Sequence, residues 1–398
     1  MSDAPLAGRR LWLAGIGGAG MSAYALLAHG LGAEVAGWDR ADTPYLRALE
    51  AAGIAAVVAP EPPPSPAGFE RYVSSAFPWV EGRPRADLLA ELVSLRPSIV
   101  VAGAHGKTTT TAMIAFCLDR LGLDPAFVVG GEVPQLGANA RAGSGWLVVE
   151  GDESDRSVAA LRPQIAVLLN VDLDHHTEFA SKAEVKRLFE DWLRHVPEVV
   201  RGDELAPVEL ELALPGDHNR RNAAAALAAL GRAGVARADA ERVLPEFEGV
   251  GRRFERKGEA GGVTVVDDYG HNPAKAAAAI AAARERAGEG RVLVLFQPHL
   301  FSRTRHLAHE FATALATADV VAVTEIYPAR EQPVEGVTGK LVVDALAERR
   351  PGMPLAWTPR LEDAVRYLAE RARPGDLVLT LGAGDVDRAA PLLLEALA

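Results

Sequence analysis

The 398-residue sequence predicts an α/β protein of three domains, each built from alternating strands and helices. Three observations carry this. Short apolar runs open three separate alternations, near residues 10, 99 and 263, and the first two runs lead directly into glycine-rich turns with helical periodicity behind them. At about 150 residues per domain, a chain of this length asks for two or three. The boundaries expected are 1–96, 97–249 and 250–398.

In chain order, residues 10–14 read as a buried strand running into Gly15-Ile16-Gly17-Gly18-Ala19-Gly20, followed by a helix over 21–31 and a second strand over 34–37 that ends at Trp38-Asp39. That order opens a doubly wound, Rossmann-like sheet. The Pro-rich stretch 60–66 is a stiff surface loop, and Arg96-Pro97 marks a boundary. A second α/β unit follows, with a strand over 99–102, a helix over 109–121, strands over 146–149 and 165–169, and a helix starting at Asn222. After residues 249–254 come strands over 263–266, 291–296, 320–324 and 377–381, which make the third, again Rossmann-like, unit. The Ala-rich segments 223–229 and 274–283 are helices.

Composition narrows the classes. A formal charge of -11 with no Lys/Arg-rich run argues against nucleic acid or an anionic membrane as the main partner. A single cysteine, Cys117, excludes an internal disulfide and a multi-cysteine zinc site, and fits a reducing compartment. No apolar stretch is long enough to span a bilayer, and Met1-Ser2-Asp3-Ala4-Pro5 lacks a basic start followed by an apolar segment. A cytoplasmic location is expected. Asparagine is scarce, and four of the five, Asn170, Asn219, Asn222 and Asn272, fall inside motif segments.

The strongest motif is the apolar strand that leads into Gly103-Ala104-His105-Gly106-Lys107-Thr108 and then a helix. Glycines let backbone N–H groups wrap a phosphate, a helix N-terminus adds its dipole, Lys107 reaches the terminal phosphates and Thr108 can ligate Mg²⁺. A glycine turn capping a helix is the plainer account. Two residues, fewer than usual, separate the glycines. The strand over 146–149 ends in Glu150-Gly151-Asp152-Glu153-Ser154-Asp155, where a magnesium ligand belongs, although an acidic run can also be a solvated loop. The strand over 165–169 opens into Asn170-Val171-Asp172-Leu173-Asp174-His175-His176, a second candidate metal segment or simply a surface loop. Asn219 and Asn222, three apart, share a helical face and can read an adenine edge, with N-capping as the alternative.

In the third unit, polar segments around Tyr269-Gly270-His271-Asn272, Gln297-Pro298-His299-Leu300 and Gly382-Ala383-Gly384-Asp385 follow strands and converge on one crevice. Arg252 and Arg253 precede them and supply cations, unless they are ordinary surface arginines. The N-terminal glycines alone suggest a dinucleotide with Asp39 on a ribose, but a nicotinamide enzyme has no need of the Lys107 loop. A nucleotide-sugar diphosphate uses the same glycines and helix dipole.

Taken together, Gly15–Ser22, Ala102–Thr111, Glu150–Asp155, Pro215–Asn222, Arg252-Arg253-Phe254 and Phe296–Arg305 resemble the Mur ligases, three-domain enzymes that extend the peptidoglycan stem peptide. The resemblance spans the chain in order. It implies ATP and Mg²⁺ as cofactors, UDP-N-acetylmuramate as the acid and L-alanine as the amine, joined through an acyl phosphate. On that basis Gly15, Gly17, Gly18, Gly20, Asp39 and Ser74 hold the UDP-sugar; Gly103, His105, Gly106, Lys107, Thr108, Thr109, Asn219 and Asn222 bind ATP; and Thr108, Glu150 and His175 hold metal. Lys107, His175, Arg252, Arg253, His271 and Arg303 are the implied catalytic set, and Tyr269, His271, His299 and Arg303 lie on the amino-acid side. Lys107 is expected to have no packing role. Asn272 stands where the family has histidine, Lys275 where it has glutamate and Leu300 where it has arginine; a Gly-His pair is missing from 51–60, and 195–214 is short. The alternatives are a relative that attaches a tripeptide or another amino acid, a P-loop kinase, and a non-catalytic paralogue.

Overall fold

A strand covered by helices on both faces must be apolar on both, and the continuous apolar runs of this sequence accordingly become the central strands of parallel sheets. The computed structural model describes residues 4–153, 155–172, 179–329 and 331–398. Its packing divides into two units: the first ends at Ala213 and takes in Asp217–Glu248, and the second comprises Leu214–Gly216 and Gly249–Ala398.

The first unit holds two sheets. Strands β1 (Arg10–Ala14), β2 (Glu34–Asp39), β3 (Ala55–Val58), β4 (Glu70–Val73) and β5 (Arg83–Pro84) are parallel in the order β3-β2-β1-β4-β5, with helices α1 (Ala19–Gly30), α2 (Pro44–Ala51) and α3 (Arg85–Ser94). The order reverses between β1 and β4. The turns after these two strands therefore flank one crevice. The next sheet is formed by β6 (Ser98–Ala102), β7 (Ala126–Val133), β8 (Ala138–Arg141), β9 (Leu147–Gly151), β10 (Ile165–Leu168) and β11 (Glu198–Arg201), in the order β11-β10-β6-β9-β7-β8. Only the β7–β8 pairing is antiparallel among these described strands. Helices α4 (Lys107–Arg120), α5 (Lys182–Leu193), α6 (Asp217–Arg232) and α7 (Arg237–Val243) accompany it. Leu13, Leu27 and Leu49 share one apolar core with Val100, Val149, Leu168 and Trp192, so the change of sheet after α3 involves no break in packing.

The second unit has strands β12 (Glu255–Ala260), β13 (Val263–Asp268), β14 (Val292–Phe296), β15 (Val320–Val323), β16 (Leu355–Trp357) and β17 (Leu377–Leu381), in the order β12-β13-β17-β14-β15-β16, with β12 antiparallel. Its helices are α8 (Pro273–Ala287), α9 (Phe301–Leu315), α10 (Lys340–Arg349), α11 (Leu361–Ala369) and α12 (Ala389–Leu397). Alternate residues serve opposite faces. Val266 and Phe296 join a core with Ile280 and Phe311, while Val265 and Leu295 join another with Leu368 and Leu393.

Several elements run past their expected ends. The strands expected to stop at 149 and 266 continue through Glu150 and Asp268, because pairing of Glu150 with Val101 and of Asp268 with Leu381 extends the ladder beyond the apolar run. The helix expected to start at Asn222 begins at Asp217, whose carboxylate sits in the first turn and meets Arg220 at 3.3 Å. Strands β3, β4, β5, β7, β8, β11, β12 and β16 had no counterpart in the sequence reading. Most lie at or beside a sheet edge, where one-sided burial leaves a weak pattern.

One close approach makes the first sheet testable. A Cβ on Gly37 would lie 2.3 Å from the Leu13 carbonyl oxygen and 2.9 Å from Ile16 Cδ1, and a ladder carbonyl cannot withdraw cheaply. Gly37→Ala should lower the unfolding free energy by about 1–3 kcal/mol, read as a fall in the urea midpoint. An unchanged midpoint would show that the strand relaxes around the methyl group.

Candidate active site

The Gly15–Gly20 turn lies in the crevice beside the turn after β4. Gly15 is left-handed at φ +83°, and a Cβ there would meet Ser74 Cβ at 2.7 Å and Phe77 Cδ2 at 2.9 Å. Gly18 immediately precedes α1 and Gly20 falls in its first turn. Asp39 is buried, and its Oδ2 accepts the Gly17 N–H at 2.8 Å, while the Thr43 hydroxyl donates to the Gly17 carbonyl at 2.7 Å. The carboxylate that a dinucleotide reading assigns to a ribose thus braces the turn itself.

The second site surrounds the Gly103–Thr108 loop, between β6 and α4. Gly103 and Gly106 adopt φ +134° and +87°; a Cβ on the first would meet the Asn170 carbonyl oxygen at 2.9 Å, and on the second Asn222 Oδ1 at 2.3 Å. The Asn170 amide spans the loop in both senses. Its Oδ1 accepts the His105 N–H and its Nδ2 donates to the His105 carbonyl, each at 2.9 Å. Asn219 and Asn222 are buried on one face of α6, 3.4 Å apart through their amides. They are interior helical residues, so the N-cap alternative does not apply.

Lys107 Nζ donates to the Gly103 carbonyl at 2.6 Å and to Glu153 Oε2 at 2.8 Å, and the Glu153 side chain is only 2% exposed. Lys107 therefore does have a structural partner, contrary to the expectation from sequence: without it a buried carboxylate would lose a cation 2.8 Å away. Thr108 Oγ1 donates to Glu150 Oε2 at 3.0 Å, and the Gly130 N–H donates to Glu150 Oε1 at 2.5 Å. Thr109 is buried in the first turn of α4. His175, assigned to the metal and the catalytic set, lies outside the described residues.

The third site, in the second unit, gathers the turns after β13, β14 and β15. His271 Nδ1 is 3.0 Å from the Tyr269 carbonyl oxygen; the His271 and His299 rings are 6.1 Å apart, and His299 stacks on Tyr327 at 5.9 Å. Arg303, in the first turn of α9, places Nη1 3.2 Å from His299 Nδ1. Asn272 caps α8, its Oδ1 accepting the Lys275 N–H at 2.8 Å. Leu300 precedes α9 at φ +72°, a backbone region that a β-carbon disfavours.

Arg252 and Arg253 are not ordinary surface arginines. Arg252 Nε meets Asp267 Oδ2 at 3.2 Å and its Nη2 donates to the Gly382 carbonyl at 2.8 Å, so this guanidinium ties the ends of β13 and β17 together. Arg253 lies over the Tyr269 ring at 5.0 Å. Sequence reasoning gave no individual role to Glu153, Asn170 or Gly130. The first sat within an acidic run and the second was one of five asparagines, which was the available signal; Gly130 offered none.

With this geometry in view, three domain models match the chain in succession: the Mur ligase family catalytic domain over residues 13–96, the Mur ligase middle domain over 101–200, and the Mur ligase glutamate ligase domain over 252–384. The chain belongs to the Mur ligase family and has its three α/β domains. A UDP-N-acetylmuramate--L-alanine ligase of Renibacterium salmoninarum is 39% identical, covering 98% of this chain and 96% of that protein. One from Rubrobacter xylanophilus is 38% identical over 98% and 100%. Among solved structures, a UDP-N-acetylmuramate-alanine ligase from Thermotoga maritima matches with a TM-score of 0.82 at 26% identity, covering 97% of this chain and 98% of that one.

Burial raises the Asp268 carboxyl to about 6 against an ordinary 3.8, despite Arg253 nearby and the N–H groups of Gly270 and Phe254 at 2.8 and 2.9 Å. The native state therefore holds this proton to higher pH than the unfolded chain. Its stabilising contribution is complete below about pH 4 and is lost as pH rises through about 6, a change of about 3 kcal/mol. Asp268→Asn lacks this titration. Relative to wild type, its unfolding free energy should gain about 3 kcal/mol between pH 4 and pH 7 in denaturant titrations. A difference that stays flat across that range would mean Asp268 titrates as an ordinary carboxyl.

Proposed function

We propose that the chain joins L-alanine to the carboxylate of UDP-N-acetylmuramate at the cost of ATP, a step in peptidoglycan synthesis. The observation that carries this is identity of 38–39% along the full length of ligases named for that reaction. The chemistry of the Lys107 loop supports it. Residues 1–96 are read as the UDP-sugar domain, 97–249 as the ATP domain and 250–398 as the domain that receives the amine. The location is cytoplasmic, where nucleotide substrates are made; among the described residues no helix is long and apolar enough to cross a membrane.

A carboxylate and an amine do not condense in neutral water, so the acid must be activated. Its oxygen attacks the γ-phosphorus of ATP, giving an acyl phosphate and ADP. The amine lone pair then attacks the acyl carbon, and the tetrahedral oxyanion collapses with loss of phosphate while the new amide nitrogen gives up a proton. Lys107 contributes by transferring its ammonium from Glu153 to the terminal phosphates, where negative charge is being redistributed. Gly103 and Gly106 present backbone N–H groups, His105 between them is held in the loop by Asn170, and Asn219 and Asn222 face the adenine. Gly15, Gly17, Gly18, Gly20 and Ser74 bind the UDP-sugar, with Asp39 holding their turn in shape.

Mg²⁺ is the metal we assign. Thr108 Oγ1 and Glu150 Oε2 converge within 3.0 Å, and hydroxyl and carboxylate oxygens suit a hard cation. When bound, Mg²⁺ neutralises charge on the phosphoryl group being transferred. His175 completes the set by resemblance. On the acceptor side, His271, His299 and Arg303 hold the amino acid, with Tyr269, Arg252 and Arg253 shaping that pocket, and the Arg303 guanidinium is the group suited to the alanine carboxylate.

Two experiments test these roles. Because Lys107→Ala alone removes the cation 2.8 Å from the buried Glu153, the informative variant is Lys107→Ala with Glu153→Gln, which should fold yet lose at least about 10²-fold in kcat. Near-normal turnover by that double variant would remove the loop from the mechanism. For the substrates, ADP release should require UDP-N-acetylmuramate together with an amino acid. L-alanine should exceed glycine in kcat/KM by about 10-fold or more, because glycine leaves a methyl pocket empty. A preference for a tripeptide would defeat the alanine assignment and keep the ligase class, whereas ADP release without an amine would favour a kinase.

A further inference from the structure

Arg85, the first residue of α3, has no part in the site described so far. Its side chain is 20% exposed, and its two terminal nitrogens face different ways. Nη2 donates to Asp155 Oδ2 at 2.5 Å and lies 3.6 Å from Asp152 Oδ2. Nη1 lies 3.5 Å from the buried Tyr24 hydroxyl on α1, and 3.6 Å from where a Cβ on Gly20 would stand. A single planar cation thus touches the helix that begins at the glycine turn and the acidic segment that follows β9. The other oxygen of Asp155 accepts the Ser157 N–H at 3.0 Å, so this carboxylate is fixed by its own turn on one side and by Arg85 on the other.

The end of β9 and this acidic segment also carry Glu150, against Thr108, and Glu153, against Lys107. The carboxylates therefore alternate between two tasks. Glu150 and Glu153 meet the phosphate loop, while Asp152 and Asp155 meet Arg85. We propose that Arg85 is a positioning residue for nucleotide binding: by anchoring Asp152 and Asp155 it sets Glu150 and Glu153 against Thr108 and Lys107, and ties that setting to the glycine turn. This rests on the reading of the Lys107 loop as the nucleotide site. A fork with two fixed faces is needed, which a lysine ammonium does not offer.

The test measures binding of Mg²⁺·ADP, and of ADP in EDTA, to the full chain by calorimetry, for wild type, Arg85→Gln, Arg85→Lys, Asp155→Asn and the Arg85→Gln/Asp155→Asn pair. Arg85→Gln and Asp155→Asn should each weaken Mg²⁺·ADP by about tenfold, and the pair should be no worse than either, since both remove one contact. Arg85→Lys should recover part of the loss. ADP in EDTA should change little, because Glu150 acts through the metal and Lys107 keeps its ammonium for the phosphates with or without Glu153; general destabilisation would weaken both forms alike. Wild-type affinity for Mg²⁺·ADP in Arg85→Gln, an equal loss in EDTA, or additive effects in the pair would overturn the proposal. A wild-type chain that binds Mg²⁺·ADP normally but makes no ADP from ATP, UDP-N-acetylmuramate and L-alanine would instead defeat the function and leave Arg85 standing. Absence of Mg²⁺·ADP binding to the wild type would defeat both.

Discussion

The pairing of the buried Glu153 carboxylate with Lys107 Nζ, at 2.8 Å, is the interaction on which the proposed nucleotide site depends. A carboxylate out of water needs a cation, and starting α4 at Lys107 directly after the β6 turn brings one close. That geometry requires left-handed backbone at Gly103 and Gly106, and both positions are walled by asparagine: Asn170 against one and Asn222 against the other. On the function proposed above, nucleotide binding is an exchange of one anion for another on Lys107.

A similar economy of polar groups holds the second unit together. Asp267 and Asp268 lie at the end of a buried strand, where the Thr380 hydroxyl and Arg252 meet the first, and the N–H groups of Gly270 and Phe254 meet the second. These bonds fix the turns that carry Tyr269 and His271. The aromatic and imidazole rings of Tyr269, His271, His299 and Tyr327 can then form a row, each within about 6 Å of the next, with Arg303 reaching His299. Arg252 belongs to this scaffold, a role unlike that of a free cation awaiting substrate.

The segments read correctly were those whose burial is complete on both faces. Residues 98–102, 165–168 and 377–381 are buried throughout and apolar except for Ser98 and Thr380, because helices cover both sides of them, the pattern of a central parallel strand. Strand β12, Glu-Arg-Lys-Gly-Glu-Ala, gave no such signal: it lies at an edge, pairs antiparallel with β13 and carries charged side chains, with Arg256 and Glu259 exposed. Glu150 and Asp268 misled for the opposite reason. Each looked like the start of a loop, yet ladder pairing held it in the strand, which a local reading of polarity does not register.

By itself, the sequence determined the three α/β alternations, the two glycine turns between a strand and a helix, the lysine and threonine beside one of them, and the family. These depend on short-range chemistry: a helix that must begin at a glycine turn, or a strand with no polar residue. Tertiary structure alone decided which charges are paired. Whether Lys107 meets Glu153 or Asp155, whether Asp39 faces a ligand or Gly17, and whether Arg85 and Arg252 are free or anchored depends on residues brought together from distant strands. Electrostatic partnership falls off over a few ångströms of space, and separation along the chain says nothing about that distance until the sheets have formed.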